Sequence, residues 1–133
     1  MRQSVRCRLR IDFDKVFARN VGESFSEMLT RLITESGEKP PAVYTRAQID
    51  RQHFSKIKRN KDYQSSKDTA VAFAIALKLD IDEAEKLLAA AGYTLSKSKR
   101  DLIIKFFIEH NIFDTALLND YFDEYKQNLL FSR

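Results

Sequence analysis

Between positions 51 and 61 lie the side chains in this chain best suited to gripping a polyanion and reading a base. Arg51, Gln52, Ser55, Lys56, Lys58, Arg59 and Lys61 fall close together there. An arginine fork matches guanine O6 and N7, and a glutamine amide matches adenine N6 and N7. Cations further along a helix suit phosphate oxygens, which fix register without specifying sequence. On a helix that starts after Asp50, Phe54 and Ile57 are three apart and face inward. Arg51, Gln52, Ser55, Lys58 and Arg59 are then left largely outward. Arg51, Gln52 and Ser55 are the expected base contacts. Arg46, Lys56, Lys58, Arg59, Lys61, Ser66 and Lys67 are the expected phosphate contacts. The plain alternative is that this charged face is only solvated.

The charge distribution favours the first reading. The net charge is +4 in 133 residues. Tyr44–Lys61 carries six Lys/Arg against Asp50, a local +5. Met1–Arg19 carries six against Asp12 and Asp14, a local +4. Asp101–Arg133 carries three against six acids, a local −3. Clustered positive charge attracts polyanions, of which nucleic acid is the commonest.

Other chemistries find little here. The sequence has no glycine-rich phosphate loop, no Cys/His metal spacing and no serine elbow. No enzyme activity, metal or cofactor is expected. Asp80, Asp82, Glu83 and Glu85 crowd one expected helix start, where carboxylates serve as caps. His53 on a helix reads as a surface or packing residue, with a base or phosphate contact left open. His110, near a helix end, suits the helix dipole. Cys7 is the only cysteine, so no disulfide forms within the chain. No stretch approaches a membrane span, and the N-terminus lacks an apolar signal core. A cytoplasmic protein is expected.

The elements that must hold these residues are helical. Ser24-x-x-Glu27 is a capping box that opens a helix to about Ser36, stopped by Gly37. Pro40 and Pro41 suit the start of a second helix, running through Ala42–Ala47. Asp50 caps a third, ending near Asn60. Ser66 caps a fourth, alanine-rich helix over Lys67–Leu79. Asp80-x-x-Glu83 opens a fifth, stopped by Gly92. Ser96 or Ser98 starts a sixth, with Leu102, Ile103, Phe106, Phe107 and Ile108 as its apolar face. Asp114 caps a seventh, in which Leu117, Leu118, Tyr121, Phe122, Tyr125 and Leu129 recur at helical spacing.

Ser4–Phe13 reads differently. Val5, Cys7, Leu9, Ile11 and Phe13 alternate with Arg6, Arg8, Arg10 and Asp12, a period of two that predicts a short strand. Such a strand needs a partner edge, supplied by a symmetry mate, another protein or a missing part of a longer chain. A helical reading over Val5, Leu9, Phe13, Val16 and Phe17 is the weaker alternative.

A short helix, a turn at Gln48–Ile49 and a capped basic helix at 50–59 make a helix-turn-helix arrangement. From Ser24 to Tyr93 the pattern resembles the lambda-repressor/Cro-like (XRE-type) family. The resemblance rests on Val43-Tyr44-x-x-Ala47-x-Ile49-Asp50, on Phe54-Ser55-Lys56-Ile57, and on Ser66-Lys67-Asp68-Thr69 with Ala72-x-Ala74-x-Ala76-Leu77. Two departures stand out: Gln48 where the family usually has glycine, and Ser65-Ser66 where it often has proline. Blocks such as Ile49-Asp50-Arg51, Asp62-Tyr63, Ala91-Gly92-Tyr93 and Asp101-Leu102-Ile103-Ile104 are also similar to a helical module appended to uncharacterised bacterial proteins, without established activity.

The expected fold is all-α: a lambda-repressor-like five-helix domain over 21–94, two further helices over 95–133 that pack on it or dimerise, and a basic extension with a strand over 1–20. The resemblance implies a DNA-binding transcriptional regulator of a bacterium, phage or mobile element, acting on double-stranded DNA, with a homodimer left open. The alternative is a protein-interaction or inhibitor module that binds a partner through Ser4–Phe13 or the basic face. Structured RNA is a third ligand for the same surface.

Overall fold

Ser24, Asp50, Ser66, Asp80, Ser98 and Asp114 each sit in extended backbone and accept a hydrogen bond from the N–H three residues on. Each bond satisfies an otherwise orphaned amide and sets a helix start. The computed structural model describes residues 2–20 and 22–131, with side chains described at 5–16 and 22–131. Its helices are α1 (Arg2–Asn20), α2 (Phe25–Ser36), α3 (Pro40–Arg46), α4 (Arg51–Arg59), α5 (Lys67–Ala76), α6 (Ile81–Ala90), α7 (Lys99–Glu109) and α8 (Thr115–Glu124). The described residues form no strand, so the fold is all-α. Ser24 and Glu27 make the reciprocal capping box, and α3 begins on Pro40.

The helix ends are less conventional. After α3, α5, α6, α7 and α8 the chain turns through a left-handed residue. The next N–H then reaches back five positions, as in Ile49 N–H to Tyr44 O at 2.9 Å and Leu79 N–H to Ala74 O at 3.1 Å. That is the Schellman closure, which glycine normally provides because a Cβ is unfavourable there. Here only Gly92 does so, and Gln48 (φ 62°), Lys78 (φ 55°), Asn111 (φ 57°) and Lys126 (φ 57°) occupy the others. Replacing Gln48 with glycine is expected to stabilise the fold by up to about 1 kcal/mol, read as a rise of a few degrees in a thermal melt. A fall in melting temperature would show that the 3.5 Å contact from Gln48 Nε2 to Thr115 Oγ1 outweighs the backbone strain.

α5 is the centre of the core. Every residue from Thr69 to Ala76 is buried, as expected of a helix surrounded on all sides. Its alanines let α3, α6 and α8 pack close against it. Phe73 meets Phe54 of α4 at 6.3 Å between ring centroids, and Phe54 meets Tyr44 of α3 at 5.1 Å. α2 packs on α4 and α6. α7 and α8 pack on each other, on α6 and on α5, so Ile104, Ile108, Leu118, Phe122 and Leu130 join the same core.

Polar contacts fix the second half. Asp101, almost wholly buried, accepts from Lys67 Nζ at 2.7 Å, Ser96 N–H at 2.7 Å and Ser96 Oγ at 2.8 Å. Burial opposes its ionisation. The donors outweigh that, with Lys67 contributing most, and hold the carboxyl below the usual range. Arg100 pairs with Asp68 at 2.9 Å and lies 4.7 Å from the centre of the Phe122 ring.

Two expectations are corrected here. Ser4–Phe13 lies inside α1 rather than in a strand. A lone strand leaves its amides and carbonyls without partners, whereas a helix pairs them within the segment, and no second strand is on offer. Strand addition to a partner's sheet therefore loses its element. On α7, Leu102 and Phe106 are exposed, and the buried side runs through Asp101, Ile104, Phe107 and Ile108.

Candidate nucleic-acid interface

Phe54 and Ile57 hold α4 on the core, and they leave one whole face of the helix outside. Its ends are tied down separately. Asp50 Oδ1 accepts the His53 N–H at 2.6 Å, and the buried Ser26 hydroxyl donates to Ile57 O at 2.7 Å. The second bond fastens the last turn of α4 to α2 and satisfies a carbonyl that a helix end leaves open. The connection from α3 runs through Ala47, Gln48, Ile49 and Asp50, with Ala47 and Ile49 buried. A side chain on α4 is therefore placed by a rigid mount rather than by a loop.

Arg51, Gln52, Ser55, Lys56 and Arg59 line one shallow polar hollow on that face. The three expected base-contact residues thus share a surface with two of the expected phosphate contacts. Lys58, Arg59 and Lys61 line a second hollow with Ser26, Glu27, Thr30 and Arg31 of α2. Lys56 and Arg59 line a third with Asn60 and Tyr63. Arg51, Lys56, Lys58 and Arg59 are in none of the ion pairs among the described residues, whereas Lys61 is near enough to Glu27 to add to the hydrogen bonds with Ser24 that lower its pKa. Arg59 Nε donates to Ser55 O at 3.3 Å, which angles its fork along the helix.

No known family profile, no curated protein and no solved structure matches this chain.

Three of the expected contacts are held elsewhere. Arg46 forks onto Glu38, with Nη1 to Oε1 at 2.8 Å, and also donates to Ala76 O at 2.7 Å. Its guanidinium is held above its ordinary pKa, chiefly by the hydrogen bonds to Glu38. Lys67 is bound to Asp101. Ser66 uses its hydroxyl as the cap of α5 and donates it to Thr69 Oγ1 at 2.9 Å. Arg46 and Lys67 thus brace helices, and Ser66 starts one. His53 is half-buried with Nε2 2.9 Å from the Tyr63 hydroxyl, a packing role. His110 stacks on Phe106 with Nδ1 2.9 Å from the Phe106 carbonyl, at the end of α7.

Thr30, Asn60 and Tyr63 border the basic face but carry no sequence signal for it. They arrive there only because α2 and the segment after α4 pack beside it. Arg31 stands in the same hollow, but Glu23 and Glu35 neutralise it at 2.9 and 3.0 Å. Among the described residues no group of His, Cys, Asp and Glu could hold a metal ion, and no helix is long and apolar enough to cross a membrane.

Proposed function

We propose that the protein binds double-stranded DNA, with α4 as the recognition helix of a helix-turn-helix unit formed by α3, the turn at Gln48–Ile49 and α4. In this reading the unit belongs to a lambda-repressor-like arrangement, and the protein serves as a transcriptional regulator. The observation that carries the proposal is the exposed face of α4. It gathers Arg51, Gln52, Ser55, Lys56 and Arg59 in one hollow, and its three cations are in none of the ion pairs among the described residues. Left-handed Gln48 adds weight, since it takes at the turn the conformation for which the resembling family uses glycine.

Arg51 and Gln52 stand in the first turn of α4, where base edges are reached in such units. Lys56, Lys58, Arg59 and Lys61 follow toward its end and beyond it, where they meet phosphates. α8, with Asp120, Asp123 and Glu124 and no cation, suits a surface turned away from DNA.

The test is selection of bound sequences from a random duplex pool, followed by binding titrations over a salt series. The proposal expects one enriched motif and an affinity that falls linearly on log–log axes with salt. Lys58→Ala and Arg59→Ala should weaken every duplex alike, each lowering the salt slope by about 1. No binding to any duplex at low salt removes the proposal.

A further inference from the structure

Between α7 and α8 lies a groove of about 430 Å³ that the core leaves unfilled. Phe107, only 4% exposed, is its floor and meets the Tyr121 ring edge-on at 5.7 Å. Leu102 and Phe106 line it from α7, Leu117 and Tyr121 from α8, and Tyr125 from just beyond α8. Phe106 and Tyr125 are 53% and 54% exposed, so the groove opens to solvent. Single exposed apolar residues are ordinary, but a contiguous apolar groove marks a binding surface. The Phe106 ring is held by His110, which stacks on it at 3.9 Å between centroids and has Nδ1 2.9 Å from the Phe106 carbonyl. The site is thus built in advance, on two helices packed against each other.

The lining selects the occupant. Among the described residues no charged side chain lines the groove, and the hydroxyls of Tyr121 and Tyr125 are the only polar side-chain atoms its lining residues possess. Exposed charges along the same helices are of both signs, Lys105 and Glu109 on α7 and Asp120 and Glu124 on α8, so charge singles out no protein partner. Size decides further. A stable protein interface takes roughly 20–30 residues a side, and eight line this groove. Its volume instead falls in the range of small-molecule sites, about 300–1,000 Å³, which are mostly apolar and aromatic with a few polar groups. Aromatic walls favour a flat ring, which they meet stacked or edge-on. We infer that the α7–α8 groove binds an uncharged aromatic small molecule. Its ring lies over Phe107 between Phe106 and Tyr121, and the tyrosine hydroxyls are the hydrogen-bond partners for its polar atoms. The groove shares no residue with the basic hollows of α4, so the inference does not rest on DNA binding.

The experiment is a titration of the full chain with N-phenyl-1-naphthylamine, an uncharged aromatic probe that fluoresces on leaving water. Expected is a saturable rise at one probe per chain. Added sulfate should strengthen binding, because it favours apolar burial. Phe106→Glu and Leu117→Glu each place a carboxylate against the probe and should weaken it at least about tenfold. Both positions are exposed, and an acid in the first turn of α8 suits that helix end, so both variants should keep the wild-type melt. Leu9→Glu alters an exposed apolar residue of α1 instead and should bind the probe as the wild type does. No saturable binding by the wild type overturns the inference. So does binding that both groove variants retain, or that Leu9→Glu removes. Light scattering over the same concentrations checks the rival occupant. A probe signal that falls as the chain dimerises puts a second copy in the groove, and that result also overturns the inference.

Discussion

Replacing Asp101 with alanine is expected to lower the melting temperature by roughly 10 °C, a loss of about 3 kcal/mol. The carboxylate is only 3% exposed and is the acceptor for Lys67 Nζ, the Ser96 amide and the Ser96 hydroxyl. Its removal leaves those donors without an acceptor at the junction of α5 and α7. The lysine side chain is 27% exposed and can turn to water, which keeps the loss below that of a fully buried pair. Lys67→Met tests the other half. It leaves a buried charge on the two Ser96 donors, so it too destabilises, and the double variant should lose less than the two single losses combined. The same network predicts an acid limb. Asp101 titrates below its ordinary value in the folded protein, so its contribution is complete above the unfolded pKa, about 3.9. That contribution disappears as pH falls through the lower folded value. Wild type should therefore lose stability below about pH 4, and Asp101→Ala should lose less over that interval. Equal acid limbs in the two proteins would locate the effect in other carboxylates.

The helix starts were legible because each depends on one polar side chain and the amide three residues on. Ser24, Asp50, Ser66, Asp80 and Asp114 are readable as caps without knowledge of the packing. The inward placement of Phe54 and Ile57 was equally local, since helical spacing alone fixes it. What stayed hidden needed partners far along the chain. Arg46 and Lys67 look like free cations in a basic region, but their acids lie at Glu38 and Asp101, brought close only by folding. Asp101 also concealed the buried side of α7. An apolar face through Leu102, Ile103, Phe106, Phe107 and Ile108 leaves out this carboxylate, which packing buries beside Ile104, Phe107 and Ile108. The alternation over Val5–Phe13 suggested a strand because period two is a genuine strand signal. It decides nothing when no second strand can complete the ladder, and a helix closes its own bonds. The left-handed turns at Lys78, Asn111 and Lys126 carried no glycine to announce them.

If α4 reads DNA as proposed, Arg51→Ala is expected to cost about 10- to 100-fold in discrimination between the preferred duplex and its mismatched variants, the worth of one bidentate base contact. The geometry isolates the test. Asp50 caps α4 through the His53 amide, so neither Arg51 nor Gln52 is needed to start the helix, and both are exposed. Substituting either should leave the melt unchanged. Arg51→Lys keeps the charge and removes the fork, so it should lose selectivity while holding the salt slope. Gln52→Ala removes no charge, so it should change the preferred base with little effect on unrelated DNA. Lys58→Ala is the contrast: affinity falls for all duplexes and the selectivity ratio stays. These four variants separate reading from gripping on a single helix. If Arg51→Ala weakens every duplex by the same factor as Lys58→Ala, the first turn of α4 grips phosphate as its later turns do. Any sequence preference must then come from the deformability of the DNA rather than from contacts made by this helix.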